Sequence, residues 1–176
     1  VRVTADKLEA WLGKEKLAWH DIQAPVGKAG RVWTYEEGSR FVVECFGKFS
    51  KRLAEYAQRA FDEGWVDAES RPGKVGGAFC MPIPDAKESR ILMNFDGTFD
   101  QVSTLAHELG HGYHNEVLKT EEILNRDTPM TLAETASIFC ETIVFEAAIE
   151  RAQGKEALGI IETNLLGANQ VVVDIL

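Results

Sequence analysis

Long apolar runs are missing from this 176-residue chain. No stretch approaches the roughly 18 consecutive apolar residues that crossing a bilayer requires, so no membrane span is expected. Basic residues are also scarce. Nineteen Lys and Arg face 28 Asp and Glu, a net charge of −9, whereas nucleic-acid binding calls for clustered positive charge. Cysteine occurs three times, as Cys45, Cys80 and Cys140. An odd count without C-x-x-C spacing leaves core thiols and a reducing, cytoplasmic setting as the expectation. The segment Val1-Arg2-Val3-Thr4-Ala5-Asp6 lacks the apolar core of a signal peptide. Internal repeats and low-complexity tracts are absent. A hydrophobic content of 45% is enough for the core of one domain.

Histidine is scarce too, and its placement is informative. The chain has four, His20, His107, His111 and His114, and three of them fall within eight positions. Residues 107–111 read His107-Glu108-Leu109-Gly110-His111, the H-E-x-x-H pattern. On a helix, positions i and i+4 share a face about 6 Å apart, so two imidazoles converge on one cation. Glu108, one residue after the first histidine, is placed to act as general base on a water rather than as a ligand. The flanking Val102, Leu105, Ala106 and Leu109 recur at helical spacing, which embeds the motif in an apolar helix expected over about 98–117. A core or solvated histidine pair is the bland alternative. The crowding of so few histidines into one motif argues against it.

A zinc centre with an open catalytic position needs a third protein ligand. His114, at i+7 from His107, stands roughly 10 Å further along the helix axis and cannot share the same shell. It is better read as a polar group beside the site or on the substrate side. Among downstream carboxylates, Glu116 is too close on the same helix, and Glu121 and Glu122 sit in a polar, loop-like stretch. Glu134 follows the helix-start signal Thr128-Pro129 and opens an apolar run through Ala136, Ile138, Phe139, Ile143, Val144 and Phe145 in a helix expected over about 129–152. A carboxylate on such a face calls for a partner or a metal. Glu141 repeats the placement at i+7, with Ser137 between. One of the two can ligate while the other orients a ligand histidine.

The remaining periodicities indicate a mainly α fold. A short helix is expected over Thr4 to Leu12 and a loop over Ala24 to Gly30. One long amphipathic helix is expected from Tyr35 to about Glu63, with Phe41, Cys45, Phe49, Leu53, Tyr56 and Ala60 as its core stripe and Gly64 ending it. Between Pro72 and Phe95, glycines and prolines punctuate two short apolar runs, 78–81 and 90–94, which fit a small hairpin or short sheet. Its rim offers an edge to which an extended peptide could add as a strand, with turn-forming glycines as the structural alternative. A final helix is expected over Lys155 to Leu176.

The segment from Thr104 to His114, followed by Leu132-Ala133-Glu134-Thr135-Ala136-Ser137-Ile138-Phe139-Cys140-Glu141, resembles the active-site signature of the oligoendopeptidase F branch of the thimet oligopeptidase family of zinc metallopeptidases. Gly73-Lys74-Val75-Gly76-Gly77-Ala78-Phe79-Cys80 and Ile91-Leu92-Met93-Asn94-Phe95 resemble the blocks that precede it, and the likeness runs from about Trp19-His20-Asp21 onward. The resemblance implies a helical zincin-type catalytic domain with a small β-element before the zinc helix. It implies one Zn²⁺ held by His107, His111 and Glu134, with Glu108 activating water. Glu141, His114, Gly77 and Ala78 are then candidates for the surroundings of the metal or the substrate side. The implied activity is hydrolysis of internal bonds in short peptides by a cytoplasmic enzyme with a deep channel. Family members run to several hundred residues, and a later histidine and tyrosine stabilise the oxyanion; this chain has neither residue after His114. Residues 1–176 therefore read as a single partial catalytic domain without the family's C-terminal and N-terminal parts. The alternative is a metal-binding fragment without turnover.

Overall fold

The computed structural model describes residues 9–10, 13–18 and 31–170. Residues Val1–Gly30 and Arg31–Leu176 form two compact units. In the first, Glu9 and Ala10 are helical, and the Lys14 and Gly13 amides close a turn onto the Glu9 and Ala10 carbonyls. The rest of the helix expected over Thr4 to Leu12, the Trp19-His20-Asp21 block and the loop from Ala24 to Gly30 lie outside the described residues.

The second unit is mainly helical with one small sheet, as the periodicities imply. Its elements are α1 (Tyr35–Phe49), α2 (Lys51–Asp62), β1 (Val66–Asp67), β2 (Phe79–Ile83), β3 (Glu88–Leu92), α3 (Phe99–Leu118), a 3₁₀ turn (Ile123–Asn125), α4 (Met130–Ala133), α5 (Thr135–Arg151) and α6 (Lys155–Gln170). Thr34 and Glu37 form a capping box that starts α1, satisfying two of the amides a helix N-terminus leaves open.

The long helix expected from Tyr35 to Glu63 is in fact two. Ser50 is extended (φ −151°, ψ 122°), donates its N–H to the Phe46 carbonyl at 2.7 Å, and accepts from the Leu53 amide. One residue thus ends α1 and caps α2. The break turns Phe49 out of the core stripe to 61% exposure, where its ring packs edge-on against Phe139. The other five stripe residues are buried.

The expected hairpin is present as antiparallel β2 and β3, and a third strand not anticipated, β1, pairs parallel to β3, giving the order β1-β3-β2. Two residues are too short a run for alternation to register. Ser89, Ile91 and Met93 are buried, as are Val102, Leu105, Ala106 and Leu109 of α3. Helix α3 lies at the centre of this core, in contact with α1, α2, α5 and the sheet. The helix expected over 129–152 is divided at Glu134 (φ −85°, ψ 0°) into α4 and α5. The buried face of α5 is Ser137, Cys140, Val144, Ala147 and Ala148; Ile138 and Phe139, expected inside, are exposed.

Candidate metal centre

Helix α3 begins at Thr98, whose hydroxyl accepts from the Gln101 amide at 3.3 Å and is itself fixed by Asp96 Oδ1 at 2.7 Å. Once the helix is started, its apolar stripe turns toward the core and sets the rotation of everything between. His107 and His111 fall on the border of that stripe, half-buried, with rings edge to face at 4.7 Å. Their Nε2 atoms are 3.0 Å apart.

Glu134 comes to the same point from the residue that precedes α5. Its Oε2 lies 3.2 Å from His107 Nε2 and 3.3 Å from His111 Nε2. Ser137 holds it there: the buried hydroxyl lies 2.7 Å from Oε2 and 2.9 Å from the Glu134 carbonyl. The close approach of α5 to α3 depends on Gly110. A Cβ there would stand 2.7 Å from both the Ala136 carbonyl oxygen and the Ser137 Cα. The Glu134 carboxylate itself is 43% exposed, so what places it is this helix crossing and not the apolar burial argued from the sequence.

Three donors at 3.0 to 3.3 Å form a nearly equilateral triangle. A tetrahedral centre with ligands at about 2.0 to 2.1 Å has ligand–ligand edges of about 3.3 to 3.4 Å. Two imidazole nitrogens and a carboxylate oxygen in that arrangement fit a divalent cation with one face left open. Among the described residues this is the one cluster of His, Cys, Asp and Glu compact enough to hold a metal.

The surroundings differentiate the two imidazoles. Burial acts to lower the pKa of His107, but a contact from Glu141 Oε1 to its Nδ1 at 3.2 Å, with the charges of Glu141, Glu108 and Glu134, raises it overall. Among the described residues His111 has no second carboxylate of this kind, and burial lowers it. Glu108, next to His107 on α3, lines the same site and is 5% exposed. Its Oε2 is buried without a hydrogen-bond partner among the described residues. Burial pushes its carboxyl up to about 7, with His107 opposing and Glu134 and Glu141 reinforcing. An orphaned buried carboxylate oxygen beside three converging donors marks a place for a water or an ion.

An open cavity of about 350 Å³ lies over these groups, and its floor is His107, Glu108, His111 and Glu134. One wall is Ala78, Phe79, Cys80 and Pro82 of the β2 segment, and Asn115 closes one end. Of the substrate-side candidates, Ala78 lines the cavity, while Gly77 (φ +81°) is used as a turn whose carbonyl accepts from Asn94 Nδ2 at 3.2 Å. His114 is half-buried on α3 and does not line the cavity.

Cys80, expected in the core with Cys45 and Cys140, is half-buried on the cavity wall; the other two are buried. Asn115, one turn beyond His111, was not singled out from the sequence. Its i+4 spacing from His111 is the signal that could have found it.

A family model described as Peptidase family M3 matches residues 48–166. The chromosomal oligoendopeptidase F of Lactococcus lactis subsp. cremoris is 31% identical over 138 residues, covering 78% of this chain and 23% of the relative. An oligoendopeptidase F homolog of Lactococcus lactis subsp. lactis is 30% identical over 143 residues, 81% of this chain and 24% of the relative. This chain thus spans about a quarter of the length of the curated relatives it matches. Among solved structures, an oligoendopeptidase F from Bacillus anthracis superposes with a TM-score of 0.78 at 23% identity, over 93% of this chain and 30% of that one.

Proposed function

Since this chain belongs to peptidase family M3, we propose that it carries the metal centre and general base of a zinc-dependent endopeptidase acting on short peptides. The observation that carries the proposal is the triangle of His107 Nε2, His111 Nε2 and Glu134 Oε2, with edges of 3.0 to 3.3 Å. One Zn²⁺ per chain held by these three atoms would supply Lewis acidity, lowering the pKa of water and polarising a peptide carbonyl.

The chain's own residues supply the rest. With Glu141 on His107 Nδ1, the ring proton sits on that nitrogen and the Nε2 lone pair faces the site. Glu108 takes a proton from the attacking water as oxygen adds to the peptide carbon, and returns it to the amine as the C–N bond breaks. A carboxyl lifted to about 7 is suited to both steps near neutral pH. The cavity wall formed by β2 is a sheet edge, so an extended peptide can lie along it by main-chain pairing and reach the floor with its scissile bond.

Residues 1–176 are read within the same proposal as a partial catalytic domain. A cytoplasmic setting belongs to it too, in keeping with three free thiols. No helix among the described residues is long and apolar enough to cross a membrane, and neither membrane nor nucleic acid is proposed as a partner.

The test is cleavage of an internally quenched peptide by wild type and by Glu108→Gln, with metal content measured for both. One zinc in each and turnover only in wild type is the expected result. Equal inertness with one zinc in each would remove the peptidase reading of this chain and leave a centre that binds metal without turnover.

A further inference from the structure

We propose that Pro82 sets how far a peptide can pair along the β2 edge, limiting main-chain recognition to the stretch that ends opposite Cys80; this rests on the edge-docking part of the function proposed above. Two hydrogen bonds fix the direction of the backbone groups in β3. The Ile91 amide donates to the Trp65 carbonyl at 2.9 Å and the Met93 amide to the Asp67 carbonyl at 3.0 Å. Odd-numbered residues of β3 therefore turn their main chain toward β1, and even-numbered residues turn theirs toward β2.

The register then assigns every position on β2. Phe79 pairs with Leu92, Met81 with Arg90 and Ile83 with Glu88, so these three β2 residues exchange hydrogen bonds with β3. Cys80 faces Ile91 and Pro82 faces Ser89; these are the non-bonded pairs. The N–H and C=O of Cys80 and the C=O of Pro82 consequently point away from the sheet, to the edge that no other strand occupies among the described residues. The same two residues line the cavity over the candidate metal centre.

An incoming strand would therefore find a donor and an acceptor at Cys80. Two residues further it would find an acceptor and no donor, because proline has no N–H. Either strand direction leaves one peptide carbonyl unpaired opposite Pro82. Proline at an edge also protects a sheet from pairing with another copy, and that structural role alone would leave peptide affinity indifferent to residue 82. If Pro82 sets the limit, its effect depends on peptide length.

The experiment uses the zinc-loaded Glu108→Gln chain, in which bound peptide is not cut, with Pro82, Pro82→Ala or Pro82→Val. The probes are two end-capped, fluorescein-labelled peptides of the same extended sequence. One ends opposite Cys80, and the other continues two residues past Pro82. Dissociation constants come from fluorescence anisotropy, and size-exclusion chromatography reports self-association.

Restoring the N–H should tighten the longer peptide by about two- to tenfold, the range of one net hydrogen bond, and leave the shorter peptide unchanged. The valine variant covers loss of strand stability in the alanine one. Equal affinities for both peptides across all three chains would overturn the proposal, and so would a gain shared by both peptides or self-association with no change in peptide affinity. If the shorter peptide fails to bind the Pro82 chain, edge docking itself fails and takes this inference with it.

Discussion

Glu141 Oε1 stands 3.2 Å from His107 Nδ1, on the opposite side of the imidazole from Glu134. The ring is thus held between two carboxylates, one at each nitrogen. The arrangement fixes the tautomer that leaves Nε2 free to ligate, and it raises the basicity of that nitrogen. Among the described residues His111 has no equivalent contact.

The first prediction follows from that asymmetry. Glu141→Ala should weaken zinc binding by about 10- to 100-fold, and Glu141→Gln by less, since its amide oxygen still accepts from Nδ1. Competition against a chromogenic chelator measures both. Unchanged affinity in the alanine variant would mean that the contact does not orient the ligand.

Gly110 gives a prediction in which two effects oppose each other. At an exposed helical position, Gly to Ala gains about 1 kcal/mol of helix propensity. Here the added Cβ would meet the backbone of Ala136 and Ser137 at 2.7 Å, atoms that cannot rotate aside. Overpacking costs about 1–3 kcal/mol and occasionally more. The net cost is up to about 2 kcal/mol, so Gly110→Ala should lower Tm by up to about 8 °C for a chain of this size. It should also weaken metal binding, because Ser137 carries the Glu134 carboxylate. Gly159, on α6 with nothing within 4 Å of an added Cβ, is the control: Gly159→Ala should leave Tm unchanged or raise it.

These residues also mark what the sequence made legible. The H-E-x-x-H pair could be placed because helical periodicity alone puts positions 107 and 111 on one face. The third donor was reached by a resemblance and by a burial argument, and only the position agrees with the structure: Glu134 is half-exposed at a helix break, held by a hydroxyl and a glycine crossing. Such a crossing is a tertiary fact, invisible to a pattern confined to one helix. The break at Ser50 escaped for a local reason, because serine is tolerated inside helices as well as at caps and the apolar stripe runs unbroken across it. The free edge of β2 was foreseeable as an edge, but its donor pattern required the register with β3.

The last prediction concerns Glu116, at the last turn of α3. Its carboxylate is bonded to Arg59 of α2 at 2.8 Å and to Lys119, and Arg59 lies over the Trp65 ring. Partial burial acts to raise the Glu116 pKa, but the bonds to Lys119 and Arg59 outweigh it and hold the carboxyl below its ordinary value. The folded chain then binds fewer protons here than the unfolded chain does. The contribution is complete above the unfolded pKa, about 4.3, and is lost as pH falls through the lower folded value. Because the groups are partly solvated, the contribution at neutral pH should be at most about 1 kcal/mol. Glu116→Gln should thus be slightly less stable than wild type at pH 7 in urea unfolding, and the gap should close toward pH 3 and shrink in high salt. Other carboxylates titrate over the same range, so the wild-type-minus-variant difference is the quantity to follow; a gap of the same size at pH 7 and pH 3 would show that the charge on Glu116 contributes nothing.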